Sequence, residues 1–529
     1  MSLSDTKTYR ISSDISEFSD LKTLIEQSKY IDTSLMNGLR RTILSDIKTL
    51  AFEYNPIPQE VDYILFKKNT SDMNNDFIGH RIGLLPVNIS IIKFLLMIYK
   101  IIIGHTNTFD ELSKGELDSN VFSTLQTNLK ITNDENMKLI HQIIFYIDII
   151  ANIDLQEITT SDIQLRFKNT SIKIEDYITK IKQYEPLLEF YKEKNGLNQL
   201  ELKLDNLSEK NFSKLIFPIF TSKEKQEYGV LLAKIKNFNT LQCEFKLNIG
   251  TGNEHSRWNI VAPCTYSFVV DNELVKDKLN NLLEKNNLTV DDLTTGLKKY
   301  DIDSKPLIEF TNERYNDIAS FNLANNLIIE KNTLFDKISK LPTDTQDYFK
   351  NFIEDKDKLI NNFNKCDRER CFLGREEHNI YKKEFDFIIE ENGFYNSDKI
   401  LKKGFKKLKN TVLSFINRIK YIQADSKTFP IIDNDIQIDL STKIINGIDI
   451  TYMNGNHTLG NIISSYIYYY YYTDNIVDFI SYKMVHPLKS TLIITIGFKK
   501  NITDLPSNTL SIFNNLNTIF KNMDITQFY

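Results

Sequence analysis

The chain has 529 residues, 41% of them hydrophobic and 26% charged, so it can bury two or more cores, and its 17 Gly and 11 Pro are too few for a fibrous or linker-dominated protein. A formal net charge of -5 excludes a protein that holds nucleic acid by its overall field. Four cysteines, at Cys243, Cys264, Cys366 and Cys371, exclude a disulfide framework in so long a chain. With no signal-peptide pattern, they lead to the expectation of a reducing, intracellular setting.

The first readable element is a helix carrying Met36 to Leu50. Met36, Leu39, Ile43, Ile47 and Leu50 recur on one stripe, Arg40 and Arg41 lie to its side, and Asp32, Thr33 or Ser34 stands ready as a cap. A second short helix starts near Asp76 and carries Phe77, Ile78, His80, Arg81 and Ile82. Gly83 and Pro86 are expected to end it, as a C-terminal glycine and a following proline do. The run from Ile89 to Gly104 is interrupted by Lys93 and Lys100 and falls short of the roughly 20 apolar residues of a membrane span. It reads as a mostly buried helix that opens a helical insertion reaching to about Asn152.

From Ile153 to Lys246, strand-like runs such as Leu231 to Ile235 and Gln242 to Leu247 alternate with charged helical stretches such as Tyr177 to Lys194, an α+β pattern. Residues 271–381 are helical and charged, with an exposed arm expected around Asn351 to Lys365. A strand at Glu384 to Ile389 leads into a long helix, Ser397 to Lys420, striped by Ile400, Leu401, Phe405, Leu408, Val412 and Phe415. Its outer face is basic through Lys399, Lys402, Lys403, Lys406, Lys407 and Lys409. A polar connector ended by Pro430 is the best domain boundary. Beyond it come a strand (Ile444 to Tyr452), a turn at Asn454 and Gly455, a helix (Thr458 to Tyr472), an alternating strand (Lys489 to Phe498) and a last helix (Asn508 to Asn522).

Four segments stand out in this order: Asn37 to Leu44 (NGLRRTIL), Phe77 to Pro86 (FIGHRIGLLP), Gly252 to Trp258 (GNEHSRW) and His457 to Asn461 (HTLGN), the last followed by Tyr482 to Leu488 (YKMVHPL). The first three resemble the signatures of the alpha-like assembly subunit of multisubunit DNA-directed RNA polymerases, the eukaryotic third-largest and archaeal D type. The fourth is similar to that subunit's partner, the eleventh eukaryotic or archaeal L type. The resemblance implies a discontinuous dimerisation domain at 1–50 and 262–420, carrying a helical insertion at about 271–381. An α+β domain at 51–261 would be inserted into it, followed by a linker at 421–430 and an L-like α/β domain at 431–529.

It also implies a non-catalytic scaffold subunit whose two halves pair within one polypeptide and recruit the two large catalytic subunits. Asn37, Leu39, Arg40, Arg41, His80, Arg81, His457, Leu459, Gly460 and Asn461 would then serve subunit contacts. Gly83, Pro86, His255, Trp258, His486 and Pro487 would be structural, with Trp258 locking a loop and His486 with Pro487 making a turn. The chain itself would hold no cofactor, magnesium and zinc belonging to other subunits, among them a small zinc-binding one. DNA would be met only through the complex, and a membrane not at all. Fusion of the two subunits is similar to what certain large DNA viruses encode, which implies the virion and the host cytoplasm as its location.

Other chemistry is weaker. Relatives often carry a cysteine cluster in the inserted domain, but between Ala51 and Val261 Cys243 stands alone. Cys366, Cys371 and His378 give three zinc donors where a structural site needs four. Asp301 with Asp303, or Asp433 with Asp435, could hold magnesium for nucleotidyl transfer, the enzymatic alternative. A free-standing transcription scaffold is the second alternative.

Overall fold

Helices and strands mix irregularly along the chain, an α+β architecture. The computed structural model describes residues 6–12, 31–55, 63–102, 134–168, 174–183, 212–289 except 219 and 222–226, 291–292, 295, 343–372, 384–391, 397–425, 429–499 except 473–474 and 488, and 505–523. In chain order these form β1 (Thr6–Ser12), α1 (Thr33–Ser45), β2 (Thr49–Phe52), β3 (Ile64–Asn69), α2 (Asn75–Gly83), α3 (Ile89–Ile102), α4 (Asp134–Ile140), β4 (Ile143–Ile150), β5 (Gln156–Thr159), β6 (Gln164–Phe167) and α5 (Ile174–Gln183). Next come α6 (Ser213–Ile216), β7 (Phe220–Thr221), β8 (Glu227–Tyr228), β9 (Leu231–Ile235), β10 (Thr240–Phe245), β11 (Leu247–Gly250), β12 (Val261–Phe268), α7 (Asn272–Lys285) and α8 (Thr343–Cys366). The last group is β13 (Glu384–Glu391), α9 (Ser397–Asp425), β14 (Ile431–Ile432), β15 (Ile436–Leu440), β16 (Gly447–Tyr452), α10 (His457–Ile467), β17 (Val477–His486), β18 (Lys489–Phe498) and α11 (Leu505–Asn522).

Two compact units result: Met1–Tyr9, Thr33–Thr265 and Phe387–Gln527 form the first, and the second holds Tyr266–Asp386. In the first unit, β3, β10, β4 and β6 make an antiparallel sheet in that order, and β2 pairs separately with β11. Phe52 sits where the two meet, its ring 5.2 Å from that of Phe145 and 4.8 Å from that of Phe245. Such edge-on aromatic pairs add packing energy beyond the area they bury. The apolar run of α3 lies against this layer with Ile92, Leu95, Leu96 and Ile98 fully buried, and the Tyr177 hydroxyl of α5 donates to the Leu95 carbonyl. No described helix is long and apolar enough to cross a membrane.

The tail of the first unit is a five-stranded antiparallel sheet in the order β14-β15-β16-β18-β17. Ile438, Ile450 and Ile494 are in register across three strands and are buried beneath the helices, as alternation in half-buried strands requires. Phe415 of α9 meets Phe513 of α11 at 6.3 Å, and Lys409 of α9 donates to the Lys521 and Met523 carbonyls, closing the C-terminus of α11. One lysine of the basic outer face is therefore an internal cap. In the second unit, α7 and α8 share a small core of Val275, Leu279, Leu283, Ile360 and Phe363.

Several boundaries differ from those read in the sequence. The stretch expected to be a helical insertion up to about Asn152 ends in a strand, β4, because its β-branched and aromatic residues pair with β10 and β6. The first helix stops at Ser45, and Ile47 and Leu50 are buried beyond it, Leu50 within β2. Ladder pairing with β11 outweighs the helical stripe there, because Thr49 and the apolar residues after it fit a fully buried strand. The long helix runs on to Asp425, five residues into the expected linker at 421–430. Gly83 is the last helical residue of α2 rather than a left-handed cap: Leu84 fills the cap position at φ −91° and ψ 2°, and its N–H bonds back into the helix.

Candidate functional site

Helix α1 lies between two others. On one side a Cβ added to Gly38 would come 2.7 Å from Ile462 Cδ1 and 3.3 Å from Thr458 Cγ2, so the backbone of α1 runs directly over α10. On the other, a Cβ at Gly404 of α9 would strike Ile43 of α1. Small residues at both crossings let the helices approach closely. Leu39 between them is 1% exposed, and Leu459 and Ile462 of α10 are buried.

Ser34, Asn37, Gly38 and Arg41 of α1 and His457, Thr458 and Asn461 of α10, with Tyr482 of β17, line one polar cleft of about 180 Å³. Two segments more than 400 residues apart in sequence thus contribute to one feature. Asn37 also accepts from Arg40 Nε and Nη2 at 3.1 and 3.0 Å, so Arg40 is tied within its own helix while Arg41 stays exposed. Burial pushes the nearby Cys264 thiol up to about 12, against the pull of Arg40. The N-cap of α10 is Asn456, whose side chain accepts from the Leu459 N–H at 2.9 Å. The His457 ring meets Tyr482 edge-on at 5.9 Å, and a Cβ on Gly460 would come 2.5 Å from the Tyr482 ring. His486 and Pro487 are exposed at the β17–β18 hairpin, where His486 pairs with Lys489.

The second and third signatures converge around β2. Arg81 Nη1 donates to the Leu232 carbonyl at 3.0 Å, anchoring α2 to β9. His80 is exposed, its ring edge-on to Tyr54 at 5.3 Å, and the Tyr54 ring occupies the space a side chain at Gly79 would need. Arg257 donates to the Tyr54 carbonyl at 3.0 Å and the Phe52 carbonyl at 3.4 Å, with its guanidinium 5.5 Å from the Trp258 ring. Burial lowers its pKa, with Glu53 opposing. Trp258 is buried and donates to the Asn248 carbonyl at 3.4 Å. His255 caps the turn Ser256–Trp258 by accepting the Arg257 N–H on Nδ1, and burial, Arg257 and His80 together hold its pKa below the usual value. The Asn253 N–H donates to the Ser45 carbonyl at 3.0 Å, fastening this turn to the end of α1. Pro86 follows α2, half-buried. Arg257 was not singled out in the sequence; its place between His255 and the single tryptophan was the available signal.

The alternative chemistry finds less. Arg418 reaches both Asp433 and Asp435, at 2.8 and 3.0 Å, so these carboxylates hold a guanidinium; the Asn434 backbone N–H, and after it Arg418, keep Asp433 below its usual pKa. Cys366 is exposed, and Cys371 is buried with its Sγ donating to the Asp367 carbonyl. His378, Asp301 and Asp303 lie outside the described residues. Among the described residues no group of three or more His, Cys, Asp or Glu is placed to hold a metal.

Residues 28–412 match the RNA polymerase Rpb3/Rpb11 dimerisation domain. The chain belongs to that family. The match spans all three alpha-like signatures and ends before the Asn456–Asn461 segment. The chain is also similar to the "Conjugation stage-specific protein" of Tetrahymena thermophila, 24% identical over 247 residues, which are 47% of this chain and 56% of that protein. It therefore spans little more than half the length of this relative. A member of a polymerase dimerisation-domain family is a subunit type built to pair.

Proposed function

We propose that the chain is a non-catalytic assembly subunit of a DNA-directed RNA polymerase in which the alpha-like and L-like halves pair within one polypeptide and recruit the two large catalytic subunits. The observation that carries this is the cleft in which Asn37 and Arg41 of α1 face His457 and Asn461 of α10. Burying both apolar stripes contributes at roughly 25 cal/mol per Å² of apolar area. On this reading, magnesium and zinc belong to other subunits, one of them a small zinc-binding protein, and DNA is met only through the assembled complex. A source in a large DNA virus, with the virion and host cytoplasm as its setting, rests on the fused arrangement alone.

The test is purification of the tagged chain from its native source at moderate salt, with mass spectrometry of everything retained. Two very large subunits in equal proportion, with no separate L-like protein, are expected. Arg41→Glu, at an exposed position, is expected to reduce that recovery while the chain stays folded. Recovery of the chain alone would turn the assignment towards a free-standing factor. RNA synthesis by the purified chain without other subunits would turn it towards the enzyme.

A further inference from the structure

The second unit carries a groove between two of its helices. It has a volume of about 390 Å³ and is lined by Lys278, Asn281, Leu282 and Lys285 of α7 together with Phe363, Asp367 and Arg370 at the end of α8. Positions 278, 281, 282 and 285 follow the spacing of one helix face. Its floor is apolar and firm, since Phe363 is buried in the core and Leu282 packs against it. Asp367 and Arg370 neutralise each other through a 3.4 Å ion pair. Among the described residues, Lys278 and Lys285 have no carboxylate partner.

The lysines are two helical turns apart, about 10 Å along the axis, with the apolar floor between them. We propose that this groove docks an acidic amphipathic helix of a partner protein, with two carboxylates two turns apart on Lys278 and Lys285 and an apolar side chain between them on Leu282 and Phe363. Helix-in-groove recognition works in this way, through spaced anchors and complementary charge. A nucleic acid strand fits less well, because phosphates have no use for the apolar floor and no exposed aromatic ring lines the groove for stacking. The inference stands independently of the polymerase assignment.

The experiment is fluorescence anisotropy on the full chain. The probe is a fluorescein-labelled helical peptide carrying two glutamates two turns apart and two leucines between them. Saturable binding is expected, weakened roughly tenfold or more in Lys278→Glu/Lys285→Glu and restored there by the same peptide with lysines in place of the glutamates. Replacing the peptide leucines by serine is expected to weaken binding to the native chain, an arm that needs no variant to fold. Absence of saturable binding, or binding unchanged by both the charge reversal and the leucine replacement, would overturn the proposal. Tighter binding of single-stranded DNA at the same salt, lost in the same variant, would assign the groove to nucleic acid and overturn it equally.

Discussion

A guanidinium that donates to two backbone carbonyls while lying against an indole is costly to remove. Arg257→Ala would leave the Tyr54 and Phe52 carbonyls short of a donor and strip one face of Trp258. A loss of about 2–3 kcal/mol is expected by denaturant unfolding, and Arg257→Lys should recover only part, because an ammonium cannot span both acceptors in one plane. His255 gives a prediction in pH. Its folded pKa lies below the ordinary value of about 6.5, so as pH falls through 6.5 the unfolded chain takes the proton first. The stability contributed by neutral His255 is therefore complete above 6.5 and is lost as pH drops towards the folded value. His255→Asn keeps a capping acceptor without titrating, so its melting temperature should fall less between pH 7 and 5 than that of the native chain. An equal fall in both would show that His255 does not contribute there. Sequence alone marked His255 and Trp258 but not Arg257, because an arginine in a polar turn looks like a solvated charge, even beside a tryptophan, until the carbonyls it serves are seen.

Among elements, α1 matters most, since it is covered on both sides by helices that arrive hundreds of residues later. Its apolar stripe was legible from period alone: Met36, Leu39 and Ile43 are all buried. Its end was not, because Ile47 and Leu50 continue the same spacing while belonging to a loop and a strand. Periodicity cannot separate a buried helix from a buried strand over so short a run, and pairing with β11 decides it. Nor does the sequence say which residue caps α10; Asn456 does, while His457 turns its ring to Tyr482. At this scale Leu39→Asp is expected to cost several kcal/mol, a charge placed at a site that is 1% exposed. Gly38→Leu should be milder in stability, about 1–3 kcal/mol, but specific in effect, because the new side chain must push Ile462 and Thr458 aside. A Gly38→Leu protein with native melting temperature and native protection of α10 in hydrogen exchange would contradict the close crossing.

Over the whole molecule, four short signatures in order were enough to expect an alpha-like chain with an L-like tail, and the family match covers the first three of them. The signatures were legible because each concentrates residues with few substitutes: glycines under a neighbour's ring or helix, arginines on carbonyls, one tryptophan in a turn. The helical arm was not: the stretch from Asn351 to Lys365 reads as exposed because Asp, Lys and Asn crowd it, yet Phe352, Ile353, Ile360 and Phe363 form a buried stripe on α8. Tethering two pairing surfaces in one chain raises their effective concentration to about the millimolar range for a flexible connector, so pairing no longer depends on encounter. If that is how the halves are held, the connector adds concentration but the contact itself comes from α1, α9, α10 and α11.

Cutting the connector separates these two contributions. A protease site placed at residues 426–428 would yield a long fragment with α1 and α9 and a short one with α10 and α11, and the cut protein would be measured by native mass spectrometry at low micromolar concentration. One species containing both fragments, dissociating when Leu39→Asp is introduced, is the expected result. Two separate species from the otherwise native cut chain would contradict pairing of the halves through the α1 crossings.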